Sequence, residues 1–158
     1  MERQICNQSY EQIVVEYSDL VTRICFVHLN NHDDVKDCFQ ETFIKLYKYK
    51  KTFKDEEHLK AWLIRVCVNT CKDYQRKFYK SMKDIDSVVI QTQDLCFEVL
   101  PILLTMDNKY RTPLYLYYYE GYSVDEIGKI LKINSNTIKS QLSRGRLILK
   151  ERLGDDYV

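Results

Sequence analysis

LKAWLIRVCVNTCKDYQRKFY, residues 59–79, decides how the chain is read. Leu59, Leu63, Val66, Thr70 and Tyr74 recur at steps of three and four, which lines up one buried stripe on a helix. The spacing therefore predicts an amphipathic helix over Leu59 to Tyr79. Its opposite surface carries Asn69, Lys72, Asp73, Arg76 and Lys77, a positively biased row of hydrogen-bonding groups. A core-facing row backed by such a surface suits contact with a phosphate backbone and the bases beside it.

The same period runs through the segments before this helix. Ile13, Tyr17, Leu20, Ile24 and Val27 predict a helix from about Tyr10 to Leu29. A second helix, capped by Asp33 or Asp34, should extend to about Tyr49 with Val35, Phe39, Phe43 and Leu46 inward and Asp34, Asp37, Gln40 and Glu41 outward. Lys50 to His58 is polar and breaks the period, so it reads as a loop into the next helix. From Lys80 to Asp94 no period is sustained and the charge changes sign. The expected organisation is all-α: a helical bundle over 1–80, a linker over 81–94, and a second helical domain over 95–158.

In the second domain Pro101 should kink or shorten the first helix. Thr112-Pro113 has the order of a helix start, with Asn108 as the alternative beginning. Gly121 ends that helix, and Ser123-Val124-Asp125-Glu126 forms a capping box for a short helix to about Leu131. After a turn at Lys132 to Asn134, Ser135 can cap a final helix through about Leu153. This is a helix-turn-helix layout.

Net charge is only +1, yet it is segregated. Residues 1–47 hold four Lys/Arg against eight Asp/Glu, 48–83 hold eleven against four, 84–128 two against eight, and 129–152 seven against one. Two basic blocks separated by acidic ones point to two polyanion contacts, whereas solvated helix faces would explain the charge alone. An apolar content of 45% with 30% charged residues indicates a soluble folded protein. There is neither an apolar run of the roughly 20 residues needed to span a bilayer nor an N-terminal h-region, so a cytoplasmic protein without membrane insertion is expected.

In the final helix Ser135, Asn136, Thr137, Lys139, Ser140 and Ser143 offer groups that match major-groove base edges, while Arg144, Arg146 and Lys150 suit phosphates. Asp34, Asp37 and Glu41 can in principle hold a divalent cation, but one helix supplies all three, and an acidic protein-docking face is the simpler reading. Cys67 with Cys71, and His28 with His32, stand four apart, a spacing that can chelate a metal. Neither pair has a CxxC partner nearby, so the cysteines read as reduced core residues and no metal or other cofactor is expected. With no Gly-rich phosphate loop, nucleophile motif or paired catalytic acid, an enzyme is disfavoured.

DVKDCFQETFIKLYK (Asp34 to Lys48) followed by FKDEEHLKAWLIRVCVNTCKDYQRK (Phe53 to Lys77) resembles the N-terminal domain of group 4, or extracytoplasmic-function (ECF), RNA polymerase sigma factors. KYRTPLYLYYYEGYSVDEIGKILKINSNTIKSQLSRGRLILKERL (Lys109 to Leu153) resembles their C-terminal domain. The resemblance implies a sigma-70 family initiation factor built from a region 2-like bundle and a region 4-like helix-turn-helix. It implies docking of Asp34, Asp37, Gln40, Glu41 and Phe43 on core RNA polymerase. Lys51, Phe53, Lys54, His58 and Asn69 would capture the melted −10 strand, with Asp73, Arg76 and Lys77 near the upstream duplex. The final helix would read the −35 promoter DNA, and an anti-sigma factor would control the protein.

Against that family pattern, Gln141 replaces a common arginine, Lys132 a frequent glycine, Gly128 and Gly145 the usual alanines, and Met106-Asp107 a Leu-Pro pair. Cys67 and Cys71 replace small residues, usually alanine. An ordinary helix-turn-helix regulator of duplex DNA is the alternative, and it would need neither an acidic docking helix nor a basic strand-capturing one. A third reading is an interaction protein that keeps the fold without promoter activity.

Overall fold

The computed structural model describes residues 4–81 and 100–154, which form seven helices and one short hairpin. They belong to two compact units divided between Gln91 and Thr92. The expected linker over 81–94 falls almost entirely outside the described residues. All-α architecture holds apart from the hairpin.

The first unit opens with β1 (Gln4–Ile5) and β2 (Gln8–Ser9), paired antiparallel with Gln4 opposite Ser9. Cys6 and Asn7 between them both have positive φ, 51° and 63°, the backbone that a two-residue turn of matching twist demands. Ser9 then caps α1 (Tyr10–His28) in a reciprocal box with Gln12. For α2 (His32–Lys48) the cap is Asn31, not Asp33 or Asp34. The Asn31 amide oxygen accepts from both aspartate N–H groups, at 2.7 and 3.4 Å. That leaves the aspartates in the first turn, where their charge favours the helix dipole.

The deciding helix, α3 (Glu56–Ser81), begins three residues earlier than its apolar stripe. Asp55 Oδ1 accepts the His58 N–H at 2.8 Å, so Glu56 to His58, the end of the expected loop, form the first helical turn. The three helices close over Ile13, Leu20, Ile24, Leu46, Leu59 and Leu63, all buried. Thr70 is buried too, donating to the Val66 carbonyl at 2.7 Å and accepting from Lys45 Nζ at 2.9 Å.

The second unit contains α4 (Leu100–Thr105), α5 (Asn108–Tyr118), α6 (Val124–Leu131) and α7 (Ser135–Leu153). Pro101 lies in α4 without ending it. The helix start read at Thr112-Pro113 is corrected to Asn108, and Pro113 lies inside α5. Buried Arg111 braces this region by donating to the carbonyls of Leu104 and Met106, each at 2.7 Å. The Ser123–Glu126 capping box forms as expected. Asn134, not Ser135, caps α7, accepting from Asn136 N–H at 2.8 Å.

Lys132 ends α6 in the left-handed region at φ 57°. This conformation costs a non-glycine residue about 1–2 kcal/mol. Against that, glycine loses about 0.5–1 kcal/mol more backbone entropy on folding. Lys132→Gly should therefore raise the stability of this unit by roughly 0.5–1 kcal/mol, read as a higher denaturant midpoint at unchanged slope.

Candidate functional site

Three surfaces emerge. On α3, Asn69, Asp73, Arg76 and Lys77 are exposed. Arg76 pairs with Asp73 at 3.5 Å, and Lys77 lies 5.3 Å from the centre of the Tyr74 ring. Lys72 on the same side is half-buried; burial first, and the neighbouring Arg76 second, pull its amine below the ordinary lysine range. Half-buried Arg65, one turn before Asn69, shares this row, although in the sequence it stands among the apolar residues of the stripe.

The loop leading into α3 is held by rings. Tyr49 stacks on Phe53 at 5.1 Å and leans on Trp62 at 4.8 Å, and Phe53 meets the Trp62 edge at 5.6 Å. Trp62 is buried and acts as a core anchor. His58 sits in the α3 first turn with its ring edge on Phe53, and its Nδ1 accepts the Lys54 N–H at 3.0 Å. Lys50, Lys51 and Lys54 stay exposed on this aromatic base. Beside them opens a cleft of about 550 Å³ lined by three lysines, Lys50, Lys51 and Lys54, by Phe53 and the hairpin, and by the carboxylates of Asp55 and Glu56. The hairpin's share in this cleft, Gln4, Ile5, Cys6 and Asn7, has no period to announce it in the sequence.

On α2, Phe43 follows the apolar period inward and not the docking role that the resemblance implies. Phe43 is only 4% exposed, packs on Phe39 at 4.9 Å, and its carbonyl accepts the Tyr10 hydroxyl at 2.7 Å. It is a core residue and not a docking contact. Its neighbour Ile44, 48% exposed, stands instead among Asp37, Gln40 and Glu41. Asp37 and Gln40 are exposed, whereas Asp34 is half-buried, and burial followed by Asp37 and Asp33 raises its carboxyl above the ordinary range. Glu41 pairs with Lys45 at 3.4 Å. Burial, then a hydrogen bond with Glu41, pushes the Tyr74 hydroxyl up to about 12.

On α7, Asn136, Thr137, Lys139, Ser140, Ser143 and Arg144 are exposed together, and Ser135 is half-buried beneath them. Arg146 turns aside: its Nε donates to the Tyr118 hydroxyl at 2.7 Å, and its guanidinium lies 5.4 Å and 5.7 Å from the Tyr117 and Tyr118 ring centres. Leu147, 59% exposed, joins the polar face one turn beyond Ser143 and was not anticipated. Gln141 is half-buried, and its Oε1 has no hydrogen-bond partner among the described residues. Where the family commonly has arginine, this chain thus presents a side chain turned partly inward.

His28 and His32 do not come together as ligands: His28 is buried with Nδ1 on the Ile24 carbonyl at 2.8 Å, and His32 is exposed. Cys67 and Cys71 are core residues as expected, but they are not without partners. Cys25 and Cys38 meet Cys67 and Cys71 in one buried group. Hydrogen bonds from the other three thiols, Cys25 foremost, push Cys38 below the ordinary thiol range, while burial pushes Cys71 well above it.

Two families match the chain, one on each unit: sigma-70 region 2 over residues 13–80, and sigma-70, region 4 over residues 97–149. The chain belongs to the sigma-70 family. Within it this is an ECF-type factor, similar to the ECF RNA polymerase sigma factor SigW of Bacillus subtilis, with 29% identity covering 93% of this chain and 90% of the relative. RNA polymerase sigma factor SigV of the same organism is 27% identical over 83% of this chain and 82% of its own. The sigma factor RpoE from Bartonella quintana, solved in complex with the anti-sigma factor NepR, shares the fold at a TM-score of 0.74 and 23% identity, covering 93% of this chain and 98% of that one.

Proposed function

We propose that this ECF sigma factor divides promoter recognition between its two units, residues 1–80 engaging core polymerase and the −10 strand, 95–158 the −35 duplex, with 81–94 joining them. One observation carries the reading: exposed Asn69 shares a unit with the lysine-bearing aromatic loop, apart from the helix-turn-helix. Lysines along a cleft attract a strand's phosphates, and a cavity beside them accepts an unstacked base. Capture of flipped bases offsets the stacking lost on melting, so opening needs no covalent step, and the protein acts as a binding factor rather than an enzyme. A duplex-only regulator would make no use of this surface.

In the −35 contact Asn136, Thr137, Lys139, Ser140 and Ser143 face base edges, and Lys139 and Arg144 neutralise phosphates. Arg146 acts through Tyr118 by holding α7 on α5. The α2 face of Asp37, Gln40, Glu41 and Ile44 docks on core RNA polymerase, acidic groups setting orientation around an apolar centre. Ile44→Asp should weaken core binding by about tenfold or more, since desolvated apolar centres dominate interfaces; titration of labelled factor with core polymerase measures this. In keeping with the RpoE and NepR pair, an anti-sigma protein covers these faces in the cytoplasm.

Asn69→Ala tests the −10 assignment. Permanganate footprinting on a supercoiled promoter should show several-fold less opening, with core binding unchanged, because the lost amide touches only the melted strand. Equal opening and unchanged −10 preference would sink the assignment.

A further inference from the structure

We propose that Cys25, Cys38, Cys67 and Cys71 form a tetrathiolate site for one thiophilic metal ion, with zinc as the ion of choice, stapling α1, α2 and α3 together. The four Sγ atoms all lie within 4.8 Å of one another, and every residue is 0% exposed. Cys25 Sγ stands 3.6 Å from Cys67 Sγ, and Cys38 Sγ 3.3 Å from Cys71 Sγ. A zinc–sulfur bond of about 2.3 Å makes the edge of a sulfur tetrahedron roughly 3.8 Å. The observed group straddles that value, so small side-chain rotations close it around a single ion. A bridged iron–sulfur cluster would set a multi-atom core between the thiolates and force them further apart.

The donor set has the composition of a closed structural site: four soft ligands and no open position for water. Each helix of the bundle contributes, Cys25 from α1, Cys38 from α2, and Cys67 with Cys71 one turn apart on α3. Buried Thr42 lies one turn from Cys38 and donates its hydroxyl to the Cys38 carbonyl at 2.8 Å, which steadies the backbone that carries this ligand. Four neutral thiols packed as small apolar residues would need no convergence. Alanine or valine would serve at each position, and the four come from points in the chain 13, 29 and 4 residues apart.

On binding, each thiol loses its proton to solvent and forms one sulfur–metal bond; four protons leave as one divalent ion enters. No oxidant takes part. The site lies inside the bundle whose outer faces carry Asn69 on α3 and Ile44 on α2, so the ion fixes the scaffold for both contacts.

The test uses the full chain purified under reducing, oxygen-free conditions. Elemental analysis should find about one zinc per chain; iron at the same stoichiometry also supports the site. Cobalt added to stripped protein should develop the intense visible bands of tetrahedral thiolate coordination, and stripping with a chelator should lower the melting temperature. Cys6→Ser, outside the group, should keep the metal. Cys67→Ala/Cys71→Ala, which restores small residues to α3, should lose it while circular dichroism confirms folding. A wild-type chain that takes up neither zinc nor cobalt, metal retained by the double variant, or four sulfurs recovered as two disulfides under these conditions would each overturn the proposal.

Discussion

Trp62→Ala should destabilise the first unit by about 3–5 kcal/mol, the usual cost of emptying a large aromatic site in a core, and should remove promoter opening more completely than any single lysine change. Trp62 is buried, and both Tyr49 and Phe53 rest on it. Without the indole the two rings lose their common support, and the backbone from Lys50 to Asp55 loses the surface that sets its path. The cleft beside the loop is shaped by the same residues, so strand capture fails with the fold around it. Trp62→Phe refills most of the volume and should recover most of the stability. Chemical denaturation of the first unit's transition and open-complex yield below its melting temperature separate the two effects. Full opening by a folded Trp62→Ala protein would show that the rings have no part in loop placement.

How far these features were legible in the sequence depended on how local they are. Helices α1, α2, α6 and α7 follow from apolar period and polar caps, which act within a few residues. The boundaries that shifted did so by local competition: Asn31 outcompeted two aspartates as the cap of α2 because its oxygen reaches two backbone N–H groups at once. At Phe43 the period and the resemblance conflict: the period places it inward with Val35 and Leu46, as observed, whereas the docking role implied by the resemblance needs it exposed, and the exposed apolar residue is its neighbour Ile44. Arg146 was legible as a cation on α7, but its hydrogen bond to Tyr118, 28 residues away, is tertiary. The cysteine group is the extreme case. The pair on α3 is visible as a four-residue step, while Cys25 and Cys38 join it only through the packing of three helices.

Gly128→Ala should lower the stability of the second unit by up to about 2 kcal/mol, although alanine favours an exposed helix by about 1 kcal/mol over glycine and is the family's usual residue there. Gly128 is buried in α6, and a Cβ built on it would stand 2.8 Å from the Ile133 carbonyl oxygen. That neighbour is backbone, so no side-chain rotation relieves the contact. The Ile133 N–H also donates to the Gly128 carbonyl at 2.9 Å, which ties the approaching segment to the position that would repel it. Overpacking of this kind costs about 1–3 kcal/mol, enough to reverse the propensity gain. The relief available is an outward shift of the Lys132–Asn134 turn, and this turn sets where α7 begins. The variant should therefore bind −35 duplex several-fold more weakly while its core-polymerase affinity is unchanged, a split that titration with each partner reads directly. Gly145→Ala meets a side chain instead of backbone, its added methyl standing 2.8 Å from Cδ1 and 3.2 Å from Cγ of buried Leu114. A higher melting temperature for Gly128→Ala than for the parent would mean that the turn yields at little cost and that the glycine is not required by the packing of α6 against the start of α7.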